Sequence, residues 1–209
     1  MNRKILATLA FILLVGLIHA QDKFEMGLKA GFNSTSFNTA EDVSFNNNTF
    51  NNVKSGFKSG YILGAWSRFH LLGSLSLQPE LYYSKKSGHT EFEEGTEETL
   101  SYYSWDLPIL ANFTILDLEV FKLYGLAGPA ISFRAKEKAE FSDPIIAPEN
   151  DNSNLLKSTN WNLQLGAGIE VMRFSLDARY EWGINEISTH KDFERKTKAL
   201  MFSLGYRLF

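Results

Sequence analysis

The sequence predicts an all-β protein, an eight-stranded antiparallel transmembrane β-barrel that follows a cleaved signal peptide. Three observations predict this fold: an apolar N-terminal leader, eight segments in which apolar and polar residues alternate, and connections that are alternately short and long. The composition agrees, because the 209 residues include 17 Phe and 8 Tyr but only 5 Pro. Aromatic residues are favoured in strands, and Pro is depleted there.

Charge and cysteine content exclude several classes of protein. The chain carries 21 Lys and Arg against 24 Asp and Glu, a formal net charge of -3, whereas a general nucleic-acid binder has a basic excess. It contains no Cys, which excludes a disulfide framework, a thiolate metal site and a cysteine nucleophile. Nucleic acid is therefore not an expected partner.

The first twenty residues have the pattern of a signal peptide. Basic residues precede an apolar run over 5–18, and the small residue Ala20 stands where a signal peptidase would cleave. A run of about 14 apolar residues is short for a helix that must cross a ~30 Å hydrocarbon core, which disfavours the alternative of a transmembrane anchor. We therefore predict a signal peptide over 1–20 and one barrel domain over 21–209.

Eight later segments alternate between apolar and polar residues, as strands do when their two faces meet different surroundings. Most are near or above the ~9–11 residues that a tilted strand needs to cross a bilayer, whereas soluble strands usually have about five or six. The predicted strands are 24–33, 57–69, 74–83, 103–113, 122–134, 160–171, 174–185 and 200–208. Segment 122–134 is apolar on both faces, so the sequence does not show which of its two faces points into the barrel.

The connections between these strands alternate in length. The long, polar ones are 34–56, 85–101, 135–158 and 186–197, and the short ones are 70–73, 114–121 and 172–173. Short turns on one side and long loops on the other are typical of outer-membrane barrels, with both termini on the side of the short turns. The alternative, a soluble barrel of the lipocalin kind, would point its apolar face inward and would lack this alternation.

Aromatic residues stand near the ends of the predicted apolar faces, where we expect two girdles at the membrane interfaces. They are Phe24, Phe57, Phe69, Tyr83, Trp105, Phe113, Trp161, Phe174, Trp182 and Tyr206. The predicted location is therefore the outer membrane, and outer-membrane lipid is a predicted partner.

Five short motifs resemble those of a known family. They are LQPELYYS at 77–84, followed by Gly88, then DLPIL at 106–110, GLAGP at 125–129, GAGIE at 166–170 and LDARY at 176–180. Their order and spacing resemble the PorT-like outer-membrane β-barrel family of Bacteroidota over essentially the whole mature chain. The resemblance implies an eight-stranded barrel; the family's namesake is associated with type IX secretion, whereas most members have no assigned activity. The C-terminus departs from the usual barrel pattern, because Tyr206 and Leu208 hold the lipid-facing parity and Phe209 lies one residue beyond.

If the apolar faces meet lipid, the polar faces meet inside a barrel just wide enough for side chains to fill. The predicted inward acids are Glu25, Glu80, Asp106, Glu170, Asp177 and Glu181, and the bases are Lys29, Lys58, Arg68, Arg179 and Arg207, with Arg134 as a sixth. Isolated charges there would be costly, so we expect them to pair or to reach water. The near balance of charge predicts an ion-pair network rather than a selective pore.

The residues predicted to form this structural network are Glu80, Asp106, Glu170, Asp177, Arg179, Glu181 and Arg207. The alternative role for such groups is a proton or ion relay. Both interpretations place the same side chains in the interior, and they differ in whether the charges are held in fixed pairs.

The sequence contains no recognisable catalytic set. Of its four histidines, His19 lies in the leader, His70 in a predicted short turn, and His89 and His190 in predicted loops. Ser188 with His190 is a conceivable acyl-transfer pair, but no third group stands out that would orient the imidazole. A catalytic site is therefore not predicted.

A metal or cofactor is not predicted either. His89 with Glu91, Glu93 and Glu94 is better interpreted as a solvated acidic loop than as a ligand set. Glycines inside the strands, such as Gly166, open no helix, so a phosphate-cradling loop is not expected.

These features predict a non-enzymatic barrel with a structural or interaction role, as an accessory to secretion or envelope assembly. Envelope or secretion proteins are accordingly the predicted protein partners. The alternatives are a small-solute or ion channel and, as the lesser one, a lipid-modifying enzyme. The loops offer a recognition surface, since 34–56 combines an Asn-rich sequence with Phe37, Phe45 and Phe50.

Overall fold

The computed structural model of the chain describes residues 24–39, 43–45, 48–50, 54–91, 97–141, 158–185 and 195–209. Its strands are β1 Phe24–Thr39, β2 Val43–Phe45, β3 Asn48–Phe50, β4 Lys54–Leu72, β5 Leu75–Glu91, β6 Glu97–Leu118, β7 Phe121–Phe141, β8 Thr159–Val171, β9 Phe174–Gly183 and β10 Arg195–Arg207. The predicted signal peptide at 1–20 lies outside the described residues. Within these ranges no helix is long and apolar enough to cross a membrane.

Eight of the ten strands form one closed barrel in which neighbours are antiparallel. The order around the barrel is β1, β10, β9, β8, β7, β6, β5 and β4. The small strands β2 and β3 pair with each other in a separate two-stranded sheet. The prediction of an all-β, eight-stranded antiparallel barrel is confirmed.

The first barrel strand closes the ring. β1 pairs with β4 on one edge and with β10 on the other, the latter over 27–39 and 195–207. Past the end of β10, the Leu208 amide donates to the Met26 carbonyl at 2.8 Å and the Met26 amide donates to the Phe209 carbonyl at 3.3 Å. The terminal residues therefore extend the closing ladder, while the Phe209 side chain stays exposed.

Two-residue turns connect the strands on one side of the barrel. They lie at 73–74, 119–120 and 172–173, and each overlaps one of the three short connections predicted from the sequence, 70–73, 114–121 and 172–173. Gly73 adopts a φ of 52° in the first turn, and tight hairpin turns favour this left-handed region because its twist matches that of the strands. Glycine adopts it without a Cβ clash.

Apolar side chains cover the outside of the barrel and polar side chains line its interior. On β9, Phe174, Leu176 and Ala178 are exposed, whereas Ser175 and Asp177 between them are buried. So much exposed apolar surface would cause aggregation in water, whereas the apolar band of a membrane barrel faces the hydrocarbon of the bilayer. The arrangement is the inverse of a soluble barrel.

Aromatic side chains occur at two levels of the outer wall. Near the short turns the ring centroids of Phe24 and Phe69 are 5.0 Å apart, and toward the long loops those of Tyr83 and Trp105 are 5.2 Å apart. Aromatic residues are enriched at both membrane interfaces of barrels, so these levels mark the two edges of the lipid-crossing band. The side chain of Phe57, also predicted for a girdle, lies outside the described residues.

The strands extend further toward the long loops than the alternation predicts. β5 continues to Glu91 and β6 begins at Glu97, so the interpretation of 85–101 as a loop is wrong for most of that segment. β4 and β7 also extend, to Lys54 and Phe141 respectively. Beyond the hydrocarbon the outer face of a strand no longer needs apolar residues, so the apolar–polar alternation that identifies a half-buried strand disappears, although the inner face stays buried at Lys86 and Tyr102.

As far as Arg134, β7 points its even-numbered residues inward, which the sequence left open. Tyr124 and Leu126 form a buried apolar cluster with Leu110 of β6, and Arg134 shares their parity and is half-buried. A second buried apolar cluster consists of Ile62, Tyr82, Ala199 and Met201. Apolar groups therefore fill the space between the charged groups of the interior.

Leu165 tests the orientation of β8. Its side chain is 54% exposed on the outer wall, well inside the strand Thr159–Val171. Replacing Leu165 by Arg should lower the free energy of unfolding by ~2–4 kcal/mol, because that is the cost of arginine facing lipid near the membrane midplane. Denaturant unfolding of the barrel in phospholipid vesicles measures the difference.

Ile184→Arg is the matched control for this substitution. Ile184 is as exposed as Leu165 but lies past the loop-side end of β9, where arginine costs about 0–1 kcal/mol. Equal costs at the two positions would show that Leu165 does not face the hydrocarbon.

Candidate functional site: the charged interior

The charged side chains of the interior form three clusters along the barrel. The lower cluster, nearest the short turns, is Glu25, Arg68, Glu170 and Arg207; the middle cluster is Lys29, Glu80, Asp177 and Arg179; the upper cluster is Lys86, Asp106 and Glu181. Their members come from seven of the eight barrel strands. Closure of the barrel therefore creates the clusters.

The lower cluster alternates two guanidinium groups with two carboxylates. Arg68 Nη1 donates to Glu25 Oε2 at 2.7 Å and lies 3.0 Å from Glu170 Oε2. Arg207 Nη1 donates to the other Glu25 oxygen at 2.6 Å and lies 3.2 Å from Glu170 Oε1. The Arg68 guanidinium also lies 5.0 Å from the centre of the Trp66 ring, a distance suited to a cation–π contact. The formal charges of the cluster sum to zero.

The middle cluster is centred on Glu80. Arg179 donates to both Glu80 oxygens, at 2.9 Å from Nη1 and 2.8 Å from Nη2, and Lys29 Nζ donates at 3.0 Å. Arg179 Nε lies 2.7 Å from Asp177 Oδ1, which also accepts a hydrogen bond from Ser203 at 2.8 Å. All five side chains are buried, and charge-assisted bidentate bonds of this kind are the strong ones.

The upper cluster holds one ammonium between two carboxylates. Lys86 Nζ donates to Glu181 Oε1 at 2.6 Å and lies 3.4 Å from Asp106 Oδ2. Ser84 donates to Asp106 at 2.6 Å, and Gln164 donates to the second Glu181 oxygen at 2.8 Å. The Lys86, Asp106 and Glu181 side chains are fully shielded, so the neutral donors add stabilisation that water would otherwise supply.

The structure places all seven residues of the predicted network on the inner wall, and each takes part in at least one of these ion pairs: Glu80, Asp106, Glu170, Asp177, Arg179, Glu181 and Arg207. Lys58, predicted inward as well, has the inward parity but is exposed at the loop-side end of β4. Sequence reasoning missed Lys86, because it lies in a segment interpreted as loop. The parity that runs through Glu80 and Ser84 was the signal that could have identified it.

Large side chains fill the space between the clusters. The largest fully buried ones are Tyr82, Tyr102, Lys86, Leu110, Gln164, Glu181 and Asn33. Glycines on the inner wall make room for two aromatic rings: a Cβ on Gly168 would lie 2.5 Å from Tyr124 Cζ, and a Cβ on Gly27 would lie 2.6 Å from Trp66 Cε2. The interior is therefore packed rather than open.

His70, predicted in a turn, belongs to β4 and contacts a serine and a carboxylate. Its Nδ1 lies 2.8 Å from Ser76 Oγ, and its Nε2 lies 3.5 Å from Glu25 Oε1. Nucleophilic catalysis uses a serine, histidine and acid in this order. Here, however, Ser76 is 2% exposed and both Glu25 oxygens are engaged by arginines. The geometry joins His70 to the lower cluster and presents no accessible nucleophile.

The other residues weighed for catalysis and metal binding lie beyond what the structure describes. Ser188 and His190 fall within 186–194, and the side chain of His89 and its acidic neighbours are likewise outside the described part. In the described part itself, no group of three or more His, Cys, Asp or Glu side chains is arranged to hold a metal ion.

A closed eight-stranded barrel with an apolar outer wall and a charged, filled interior defines a small outer-membrane β-barrel protein. Residues 19–189 match the model of the family described as outer membrane protein beta-barrel domain, and the chain belongs to that family. The protein is located in the outer membrane. No relative with significant sequence similarity was found among curated proteins.

Solved structures of other outer-membrane proteins are similar to this chain at low sequence identity. The outer membrane protein OprG from Pseudomonas aeruginosa is 12% identical, with 89% of this chain and 96% of that chain covered and a TM-score of 0.51. Neisserial surface protein A is 12% identical, with 87% and 96% covered and a TM-score of 0.47. The attachment invasion locus protein Ail of Yersinia pestis is 19% identical, with 89% and 99% covered and a TM-score of 0.40. At such identities the likeness concerns the fold alone.

The bidentate pair of the middle cluster should show strong coupling. Glu80→Gln leaves Lys29 and Arg179 to share the single carboxylate of Asp177 and should cost about 3–5 kcal/mol of unfolding free energy, as breaking a buried ion pair does. In the double variant with Arg179→Met the cost should be clearly less than the sum of the two single costs, because both substitutions remove the same interaction. Vesicle unfolding of the four proteins completes the cycle, and additive costs would contradict the coupling.

Lys86 should stabilise the barrel as much as Glu80 does, although it lies in a segment that the sequence predicts to be a loop. Lys86→Met leaves Asp106 and Glu181 buried without a cation and should destabilise the barrel by about 3–5 kcal/mol. The matched control is Lys122→Met, which removes a partly exposed lysine 3.2 Å from Asp117 and should change stability by about 0–1 kcal/mol. If both variants unfolded at the same denaturant concentration, the upper cluster would not be holding Lys86.

Proposed function

We propose that this protein is a non-enzymatic structural or interaction component of the outer membrane, an accessory to secretion or envelope assembly. The observation that carries the proposal is the filled interior, in which Tyr82, Lys86 and Glu181 are all shielded from solvent. An eight-stranded barrel has an interior only wide enough for its own side chains. Such an interior stabilises the barrel and leaves recognition to the surfaces outside the lumen.

The surface best suited to recognition is a projecting sheet on the loop side. β7 continues from Phe133 to Phe141, roughly 25 Å at ~3.3 Å per residue, beyond the point where Phe133 pairs with Thr159 at the start of β8. β6 pairs with β7 up to Phe141, and β5 pairs with β6 up to Glu91. Closure within the lipid does not require this projection, and binding surfaces commonly sit on such extensions of a rigid scaffold.

The resemblance of the sequence motifs to the PorT-like family supports the proposed accessory role in secretion. The family's namesake is associated with secretion, so a protein partner in the envelope is the expected ligand of the projecting sheet. We propose no catalytic activity and no cofactor for this role.

A small-solute or ion channel is the second candidate, favoured by the many buried polar side chains of the interior. Conduction would require the pairs Arg179–Glu80 and Lys86–Glu181 to separate, at the cost of exposing or isolating buried charges. Planar-bilayer recording distinguishes the two functions. We expect no steady conductance from the purified protein, and a large ion-selective conductance would support the channel instead.

Shortening the projecting sheet tests the interaction role. Ser87 and Ser101 are direct cross-strand partners, so an Asn-Gly turn can replace 88–100 and close the hairpin near the barrel rim. Mild-detergent purification from native outer membranes should recover an envelope or secretion protein at equimolar ratio with the unmodified barrel and not with the shortened one. The partner is identified by mass spectrometry.

The control places the same Asn-Gly pair at 119–120, on the short-turn side. This variant should retain the partner, because its projecting sheet is intact. Retention of the same partner by the shortened barrel would contradict the assignment of the binding surface, and recovery of the unmodified barrel without any equimolar partner would contradict the interaction role.

A further inference from the structure

Charge is distributed unevenly over the outer wall. The carboxylates with described side chains are either in the interior clusters or near the short turn at 119–120, where Asp117 and Glu119 lie. On the loop side, the outward-facing charges among the described side chains are all lysines: Lys85, Lys136, Lys196 and Lys198. This part of the wall is therefore cationic where it meets the outer leaflet.

Two of these lysines flank one tyrosine. Lys85 of β5 is the cross-strand partner of Tyr103 in β6, and Tyr103 is in turn the partner of Lys136 in β7. Adjacent strands are ~4.8 Å apart, so the two lysine backbones are separated by roughly 10 Å across Tyr103. Flexible four-carbon stems allow both ammonium groups to reach one ligand above the ring. We call these three residues the Lys–Tyr–Lys row.

An irregularity in the sheet produces this row. The pairing of β6 with β7 shifts register between Tyr103 and Ser104, which pair with Lys136 and Arg134. Arg134 has the inward parity, and regular alternation would therefore put Ala135, not Lys136, beside Tyr103. A β-bulge re-aims side chains and is enriched near functional sites. Here it turns Lys136 to the outer wall, next to Tyr103.

The depth of the row matches that of lipid headgroups. Directly below it, Tyr83, Trp105 and Phe133 form an aromatic row across the same three strands, and the ring centroids of Tyr83 and Tyr103 are 6.1 Å apart. Interfacial aromatic rings sit at headgroup level, above the hydrocarbon. Phosphate is the anionic group found there, and it attracts lysine near the membrane surface.

We propose that the Lys–Tyr–Lys row binds the phosphate group of a phosphorylated lipid of the outer leaflet. Lys85 and Lys136 supply two cationic donors and Tyr103 supplies a hydroxyl donor, while the acyl chains lie along the exposed apolar residues Leu81 and Leu107 below. This site is on the lipid-facing wall, so it goes beyond the proposed protein interaction and does not depend on it.

Native mass spectrometry of the barrel released from nanodiscs tests the site. The nanodiscs contain phosphatidylcholine with diphosphoryl lipid A as the probe, or with its dephosphorylated analogue. The unmodified barrel should retain diphosphoryl lipid A in preference to the analogue, and K85Q/K136Q should lower the retained fraction on the order of tenfold or more, since each lysine contributes separately to the attraction.

The matched control is K196Q/K198Q. It removes two lysines from the loop-side end of β10, away from β5, β6 and β7 around the barrel, and this variant should retain the lipid. Heat-modifiable gel migration verifies that every variant is folded. Equal retention by K85Q/K136Q and the unmodified barrel, an equal loss in K196Q/K198Q, or equal retention of the dephosphorylated analogue would each overturn the proposal.

Discussion

The closed ring of backbone hydrogen bonds is the constraint on which the rest of this structure depends. Hydrocarbon offers no partner to a backbone N–H or C=O, so a strand in lipid must be bonded along both edges. β1 satisfies this by pairing with β4 and β10, and the chain beyond β10 continues the ladder through Leu208 and Met26. Once the ring is closed, each side chain in the band has only two environments, the lipid and the interior.

The interior follows from that closure. With eight strands the inward side chains have little space for water, and they satisfy one another instead. Glu80 is bonded by Arg179 and Lys29, and Lys86 is held between Glu181 and Asp106. Such buried pairs offset the cost of desolvation rather than adding much net stability. They also favour one strand register, because a slip of one residue would place Arg179 in lipid.

Beyond the lipid the same constraint no longer applies, and there the sequence is least informative. Past the aromatic row the outer face of β5, β6 and β7 leaves the hydrocarbon and carries polar residues, while the inner face stays buried at Lys86 and Tyr102. Polar residues therefore occupy both faces, and the segment 85–101 resembles a loop. The hydrogen-bond ladder continues nevertheless, with Glu91 opposite Glu97. The projecting sheet, the Lys–Tyr–Lys row and the position of Lys86 all lie in this region, and the apolar–polar alternation of the sequence did not predict them.

By itself the sequence determined the class of fold, the number of barrel strands, the side of the short turns and the parity of the lipid-crossing residues in every barrel strand except β7. Each of these follows from local periodicity, because lipid and interior impose opposite demands on successive residues of a strand. The tertiary structure alone decided which charges meet. Arg179 pairs with Glu80 across 99 positions of the chain, and Lys86 pairs with Glu181 across 95. Which charges become partners depends on the register in which the barrel closes and on the bulges within it. The local alternation of apolar and polar residues predicts neither the register nor the bulges.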